Sequence, residues 1–147
     1  MKDIKENYLI EITSTYKVED NKETLNIKTT GTFKEKEGKK YIIYKEYSDT
    51  NPNKFKTCIL KIENNNKKIT LIKNGNVQTK LVLEKGKRIH SPYPTEFGAI
   101  MMGIFTDFIE FSSFENEAQL NLKYSIDVNS EFVSTNNIKI HAVKKDN

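Results

Sequence analysis

Residues 118–128 read Ala-Gln-Leu-Asn-Leu-Lys-Tyr-Ser-Ile-Asp-Val, and this stretch decides the fold class. Every second residue, from Ala118 to Val128, is apolar or aromatic, and the residues between them are polar. Strict alternation is typical of a β-strand with one face in the core and one in solvent, because successive side chains point to opposite faces. A helix with this sequence would scatter its apolar side chains around its surface. We therefore predict a half-buried strand over 118–128.

The same period of two recurs along most of the chain and indicates an all-β protein. Asn74-Gly75 separates two such runs and predicts a hairpin with a type I′ turn. A further hairpin is expected to join 99–105 to 107–114. The remaining alternating runs cover 8–16, 25–33, 41–47, 55–63, 69–72, 77–83 and 137–144, and turn chemistry marks 51–53, 64–66, 85–87 and 91–94.

The number and spacing of these strands predict a closed sheet. We count nine or ten strands and find no convincing helix, so the chain is expected to form a single domain over 1–147, with frayed ends at 1–6 and 145–147. Many strands of similar length in a small domain leave exposed edges unless the sheet closes. A single antiparallel barrel of about 8–10 strands is therefore expected.

The charge distribution is uneven along the chain. The formal net charge is +4, but residues 1–88 hold 20 basic and 12 acidic side chains. All the basic residues except Arg88 are lysines. Nucleic-acid readers favour arginine for its planar fork, so we expect no nucleic-acid partner.

Cysteine content and hydropathy limit the class of protein. Cys58 is the single cysteine, so neither an intramolecular disulfide nor a cysteine metal cluster is expected. The longest near-apolar stretch, 99–105, is too short to span a bilayer. The first residues carry acids in place of a secretory apolar core, which predicts a cytoplasmic protein.

An ordered set of short motifs resembles a known family. In this order and spacing, the set is similar to the YwiB-like family of bacterial proteins, and the resemblance covers about 8–144. The motifs are Thr29-Thr30-Gly31-x-Phe33, Tyr41-x-x-Tyr44-x-Glu46, Lys73-Asn74-Gly75, Tyr93-x-Thr95-x-x-Gly98 and Thr106.

The resemblance implies a calycin-like (lipocalin-like) β-barrel and no established activity. Two positions depart from the family pattern. Lys73 stands where the family often has arginine, and Glu96 stands where a proline is common. Lysine keeps the positive charge but loses bidentate geometry, which weakens any anion site built on that arginine.

The candidate ligand-binding residues come from strand phase, chemistry and the resemblance. Small and hydroxylic side chains on an inner face leave space and offer hydrogen bonds, as a ligand pocket requires. The alternative is a barrel packed solid, in which threonine is simply a good strand former and Gly31 marks a bend. The candidates are Thr29, Gly31, Tyr44, Lys73, Thr79, Tyr93 and Tyr124.

No catalytic, metal or cofactor site is expected from the sequence. His90 and His141 stand alone, without a second ligand nearby. Asp107 and Glu110 are three residues apart, so on a strand they point to opposite faces. Cys58 is in phase with apolar neighbours and is predicted to be a core thiol.

Three functions from different classes remain open. The first is non-enzymatic binding of a small, mostly apolar or anionic molecule in the barrel or at its mouth. The second is a solid-barrel interaction module for a protein or RNA partner, which uses the Lys-rich first half and the sheet face around Phe108. The third is an enzyme on a lipocalin-like scaffold, with Glu46, His90 or Tyr93 in acid–base roles.

The aromatic run at 105–114 also raises the question of a homodimer. Phe105, Ile109 and Phe111 share one predicted strand face, and Phe108 and Phe114 share the other. Aromatic side chains on both faces suggest that a loop or a second subunit covers one of them.

Overall fold

The computed structural model describes residues 6–75 and 77–146, and within them the chain forms ten β-strands. These are β1 (Tyr8–Val18), β2 (Asn21–Lys36), β3 (Lys39–Tyr47), β4 (Phe55–Glu63), β5 (Lys68–Asn74), β6 (Gln78–Glu84), β7 (Arg88–Thr95), β8 (Gly98–Phe114), β9 (Glu117–Val128) and β10 (Glu131–Lys144). In this part of the chain no helix is long and apolar enough to cross a membrane.

All the strands belong to one antiparallel sheet that curls into a nearly closed barrel. The order across the sheet is β6-β5-β4-β3-β2-β1-β10-β9-β8-β7, so the first and last strands are neighbours in its middle. Where β6 meets β7 and β8, a bridge pairs Lys85 with Thr106, and the N–H of Gly86 donates to the carbonyl of Thr106 at 2.8 Å. The predicted all-β antiparallel barrel is confirmed, and a calycin-like type is consistent with it.

The core lies inside the barrel and is built by alternation. In β9, Ala118, Leu120, Leu122 and Tyr124 are buried, whereas Gln119 is exposed. This confirms the half-buried strand predicted over 118–128. Burial of isoleucine and leucine side chains from neighbouring strands supplies the main stabilisation, at roughly 25 cal/mol for each Å² of apolar surface removed from water.

Residues 98–114 form one strand, so the predicted hairpin between 99–105 and 107–114 is wrong. A β-bulge between Thr106 and Phe108 shifts the register against β9. An extra residue reverses the phase of a strand, and here it turns Thr106 inward before the bulge and Ile109 inward after it. Phe105 therefore points outward, 39% exposed, and does not share a face with Ile109.

Two turn predictions also need correction. Residues 91–94 lie within β7, a strand at the end of the sheet order, where proline is tolerated because one edge has no ladder partner. The hairpin at Asn74-Gly75 is confirmed, but Asn74 pairs with Gln78. The connection therefore has three residues, 75–77, instead of the two of a type I′ turn.

Gly31 allows β2 and β3 to approach each other unusually closely. A Cβ atom built on Gly31 would lie 2.0 Å from the carbonyl oxygen of Ile43 and 2.7 Å from Cδ1 of Ile10. The two strands pair from Gly31–Tyr44 to Lys36–Lys39. On the N-terminal side of Gly31, residues 21–30 of β2 pair with β1 alone. The sheet therefore forks at Gly31, which agrees with the alternative interpretation of this glycine as a bend.

Replacing Gly31 tests this close approach. We expect Gly31→Ala to lower the free energy of unfolding by roughly 1–3 kcal/mol, because backbone and a packed isoleucine must move to admit the methyl group. Urea denaturation followed by circular dichroism measures the change. Lys36→Ala, at the exposed end of the same strand, is the control and should stay within about 0.5 kcal/mol of the wild type. Equal stability of Gly31→Ala and Lys36→Ala would contradict the close contact.

Candidate functional site

Strand register brings several predicted site residues into one row across the inner face. Gly31 pairs with Tyr44, Tyr44 with Cys58, Cys58 with Lys73, and Lys73 with Thr79. Directly opposite residues of an antiparallel pair point to the same face. The row therefore runs over β2 to β6 and places a phenol, a thiol and an ammonium side by side.

A cavity of about 100 Å³ adjoins this row inside the barrel. Isoleucine and leucine side chains make up most of its lining, including Ile27 and Leu81. Of the predicted site residues, Tyr44 and Lys73 line one wall and Tyr124 lines the opposite one. The polar part of the lining consists of Ser14, Tyr44, Glu46, Lys73 and Tyr124.

The other predicted residues lie elsewhere. The hydroxyl of Thr29 donates to the backbone carbonyl of Lys45 at 2.8 Å, next to the point where β2 and β3 separate. Gly31 and Thr79 belong to the cross-strand row but do not line the cavity. The side chain of Tyr93 lies outside the described part of the chain, so its assignment stays a prediction.

Glu46 is the cavity residue that strand phase left undecided. Its strand reads Lys-Lys-Tyr-Ile-Ile-Tyr-Lys-Glu-Tyr, with apolar or aromatic side chains in both phases. The structure turns Ile42 and Tyr44 inward, both buried, and Glu46 follows in the same phase. The Tyr44-x-Glu46 spacing in the family-like motif was the sequence feature that indicated a shared face for these two side chains.

An ion pair and a thiol hydrogen bond connect Glu46 to the row. The ammonium of Lys73 lies 3.1 Å from Oε2 of Glu46, and Sγ of Cys58 donates to the same oxygen at 3.5 Å. Burial by itself would raise the pKa of Glu46, but the charge and hydrogen bond of Lys73, with the Cys58 hydrogen bond, together lower it. Glu46 is therefore a carboxylate at neutral pH, matched by an ammonium about one-third exposed.

The thiol and phenol beside this pair are held in their neutral forms. Burial, followed by the negative charge of Glu46, raises the pKa of Cys58 to about 11. Burial also raises the pKa of Tyr44 well above its ordinary value, with Cys58 and Glu46 contributing. Cys58 is fully buried, which confirms the predicted core thiol. A thiol at neutral pH is a poor nucleophile, so this group suits packing and hydrogen bonding.

The opposite wall centres on Tyr124. Tyr124 is 8% exposed, and burial raises its pKa. It pairs with Thr106, whose buried hydroxyl has no hydrogen-bond partner within the described part of the chain. Thr106 does not line the cavity, so we assign it no part in binding.

The histidines lie away from the cavity. His141 is on the outer face, where its Nε2 lies 3.0 Å from a carboxylate oxygen of Glu117. His90 is exposed on β7 and does not line the cavity that holds Glu46. Among residues 6–75 and 77–146, no three His, Cys, Asp or Glu side chains form a group that could hold a metal ion.

A second concave surface lies on the outside of the barrel. It has a volume of about 700 Å³ and lies over the outward side chains of β8, β9, β10 and β1. Its walls carry charged and amide groups such as Glu11, Gln119 and Lys139. Several of these groups already bond to one another or to neighbours, as when Nδ2 of Asn26 donates to Oε2 of Glu11 at 3.1 Å.

Comparison with known proteins connects this barrel to a family. The family model described as a domain of unknown function, DUF1934, matches residues 10–140, which is most of the chain. The chain belongs to the DUF1934 family. It is also similar to the crystal structure of the ywiB protein from Bacillus subtilis, with a TM-score of 0.79 and 19% sequence identity over 95% of this chain and 92% of that one. The resemblance to YwiB-like proteins is thereby confirmed.

These comparisons establish the fold and the family and go no further. At 19% identity the match to the ywiB protein shows a shared fold alone. No curated protein matches the chain. Function must therefore be argued from the cavity and the surfaces of this chain.

The reactivity of Cys58 tests the geometry of the site. We expect iodoacetamide at pH 8 to alkylate native Cys58 at least about a hundredfold more slowly than the guanidinium-unfolded chain, because the raised pKa depletes the thiolate and burial blocks access. Mass spectrometry counts the single adduct over time. Similar rates for the native and unfolded protein would contradict the buried, hydrogen-bonded thiol.

Proposed function

We propose that the chain is a non-enzymatic binding protein for a small, mostly apolar molecule, held at the mouth of the barrel. The observation that carries the proposal is the cavity between Tyr44, Lys73 and Tyr124, apolar over most of its lining and polar at a few positions. That combination is typical of small-molecule sites, where apolar surface supplies affinity and a few polar groups fix orientation.

The size of the cavity limits which part of a ligand it takes. Its volume of about 100 Å³ is below the ~300–1,000 Å³ typical of pockets for drug-sized molecules. A short apolar group fills it, and the rest of the ligand lies at the mouth. Between the cavity and the β1–β2 turn, Tyr16 and Leu25 also point to the inner face of the sheet. They are 44% and 63% exposed. These two side chains offer apolar surface to the outer part of the ligand.

The Glu46–Lys73 ion pair determines which polar groups of a ligand can bind at the mouth. Both side chains are about one-third exposed, so they stay in contact with solvent at the mouth. The ammonium of Lys73 meets a carboxylate or another anionic group, and the Glu46 carboxylate accepts a hydrogen bond from a ligand donor. An amphiphile with a short apolar end and an anionic or zwitterionic head fits this arrangement.

Binding without catalysis is the better interpretation of the polar groups. A nucleophilic mechanism through Cys58 would require a thiolate, and its pKa of about 11 keeps the thiol protonated. Glu46 is held as a carboxylate by Lys73, and His90 does not line the cavity that holds it. We propose a cytoplasmic setting, since a lone thiol is stable in a reducing compartment.

Filling the cavity tests the proposal. The probe is anilinonaphthalene sulfonate, which joins an apolar ring system to an anionic head and fluoresces when its ring leaves water. We expect Ser14→Leu to raise its dissociation constant about tenfold or more, because the new side chain occupies the cavity. Lys73→Met should weaken binding as well, through loss of the ammonium.

The matched control is Ser112→Leu, which adds the same side chain to the outer concave surface. We expect it to leave the dissociation constant unchanged. Native mass spectrometry of protein from its own host then searches for a bound small molecule that is lost on denaturation. Equal affinity of the wild type and Ser14→Leu, with both folded by circular dichroism, would overturn the proposal.

A further inference from the structure

The first ten residues of β2 form a strand edge that is unpaired on the side away from β1. Residues 21–30 pair with β1 on one side, in an unbroken register from Val18–Asn21 to Tyr8–Gly31. On the other side the β2–β3 pairing stops at Gly31–Tyr44. Strand β3 ends at Tyr47, and the loop after it closes on itself when the N–H of Ser48 donates to the carbonyl of Lys54 at 3.0 Å.

Hairpin geometry identifies the backbone groups that face away from β1. Val18 and Asn21 flank the two-residue turn and form the closing hydrogen-bonded pair, so alternate residues of β2 bond to β1. The intervening residues, Lys22, Thr24, Asn26 and Lys28, direct their N–H and C=O groups outward. No backbone partner meets these groups within the described part of the chain.

This edge lacks the structural devices that usually block strand addition. Proteins commonly protect a sheet edge with proline or a bulge. The β7 edge carries Pro92 and Pro94, whereas 21–30 contains no proline and no register shift. The protective features along residues 21–30 are charged side chains, Lys22 and Lys28 on the outer face and Glu23 on the inner face. Lysines deter a second copy of the same strand by charge repulsion, but they attract an acidic strand.

Like charges face each other near the turn of this edge, whereas Lys28, farther along the strand, lies opposite Glu11. Lys17 and Lys22 lie directly opposite each other on the outer face of the β1–β2 pair. Like charges in that position are destabilising. Among residues 6–75 and 77–146, no ion pair joins Lys17, Lys22 or Lys28 to an acid. An acidic side chain on an added strand beside Lys22 relieves this repulsion.

The inner face of the same edge carries Glu23 near the turn, followed by two apolar side chains. Leu25 is 63% exposed and Ile27 lines the mouth of the cavity. Side chains of a neighbouring strand alternate between faces as those of β2 do. A strand placed against β2 would therefore present apolar side chains toward Leu25 and Ile27 and acidic ones toward Lys22 and Lys28.

We propose that the free edge of β2, residues 22–28, binds an extended segment of a partner protein as an added β-strand, with acidic and apolar side chains alternating along that segment. Backbone hydrogen bonds provide affinity in this mode, and the alternate side chains provide specificity. The inference goes beyond the small-molecule site, because the backbone groups it uses do not line the cavity.

The test is a fluorescence anisotropy titration with a labelled peptide, acetyl-Glu-Val-Glu-Val-Glu-Val-amide. Thr24→Pro removes an outward N–H while the β1 ladder keeps its bonds, and Thr24→Val keeps that N–H as the matched control. We expect Thr24→Pro to raise the dissociation constant about tenfold, and Thr24→Val to leave it near the wild-type value. Thermal melting confirms that both variants fold.

Changes to the peptide provide an independent measurement on the unmodified protein. A peptide N-methylated at every residue cannot donate to the edge, and a Lys-Val repeat reverses the charge, so we expect both to bind at least about tenfold more weakly. No binding of the acidic peptide up to about 1 mM would overturn the proposal. Equal binding of the N-methylated peptide would overturn it too, as would a dimer of this chain that Thr24→Pro abolishes.

The test of small-molecule binding is independent of the test of strand addition. Ser14→Leu fills the cavity but leaves the β2 backbone edge intact, so peptide affinity should stay unchanged in that variant. Loss of peptide binding in Ser14→Leu would place the peptide in the cavity and overturn strand addition. Conversely, Thr24→Pro should not alter the affinity for anilinonaphthalene sulfonate.

Discussion

The close approach of Gly31 to the carbonyl of Ile43 fixes the point at which β2 and β3 stop pairing. A methyl group at that position would overlap the carbonyl oxygen, so glycine is required where β2 and β3 come together. Below this point the two strands pair, and above it they separate. The separation leaves residues 21–30 of β2 without a strand on the side away from β1, next to the mouth of the barrel, so the proposed ligand site and the proposed strand-binding edge share one structural origin.

The protonation states of the polar groups at the mouth follow from their contacts with one another in a partly buried position. Glu46 and Lys73 reach each other from β3 and β5 over Cys58 of the strand between them. Their ion pair keeps the carboxylate charged in a partly buried position, where burial by itself would favour its neutral form. The same carboxylate disfavours the Cys58 thiolate. The result is a charged carboxylate beside a neutral thiol at the polar end of an apolar cavity.

Prediction from the sequence succeeded where a strand alternates cleanly and failed where both phases are apolar. Residues 118–128 gave the correct buried face because their two phases differ in polarity. The 41–47 strand left Tyr44 and Glu46 undecided, since Tyr41 and Ile43 fill the other phase. In 98–114 the bulge at Thr106–Phe108 reversed the phase, and a bulge leaves no mark on composition. Of the residues predicted to bind a ligand, Tyr44, Lys73 and Tyr124 line the cavity, whereas Thr29, Gly31 and Thr79 do not.

The strand content, the antiparallel barrel and the inward character of most alternating residues could be predicted without the structure, because they follow from the local period of two and from turn chemistry. Only the tertiary structure decided which residues meet across the barrel. The placement of Tyr124 and Tyr44 around one cavity, the pairing of Glu46 with Lys73 and the free edge of β2 depend on register and curvature. Those properties arise from contacts between strands far apart in the chain, such as Gly31 against Ile43, and no local pattern encodes them.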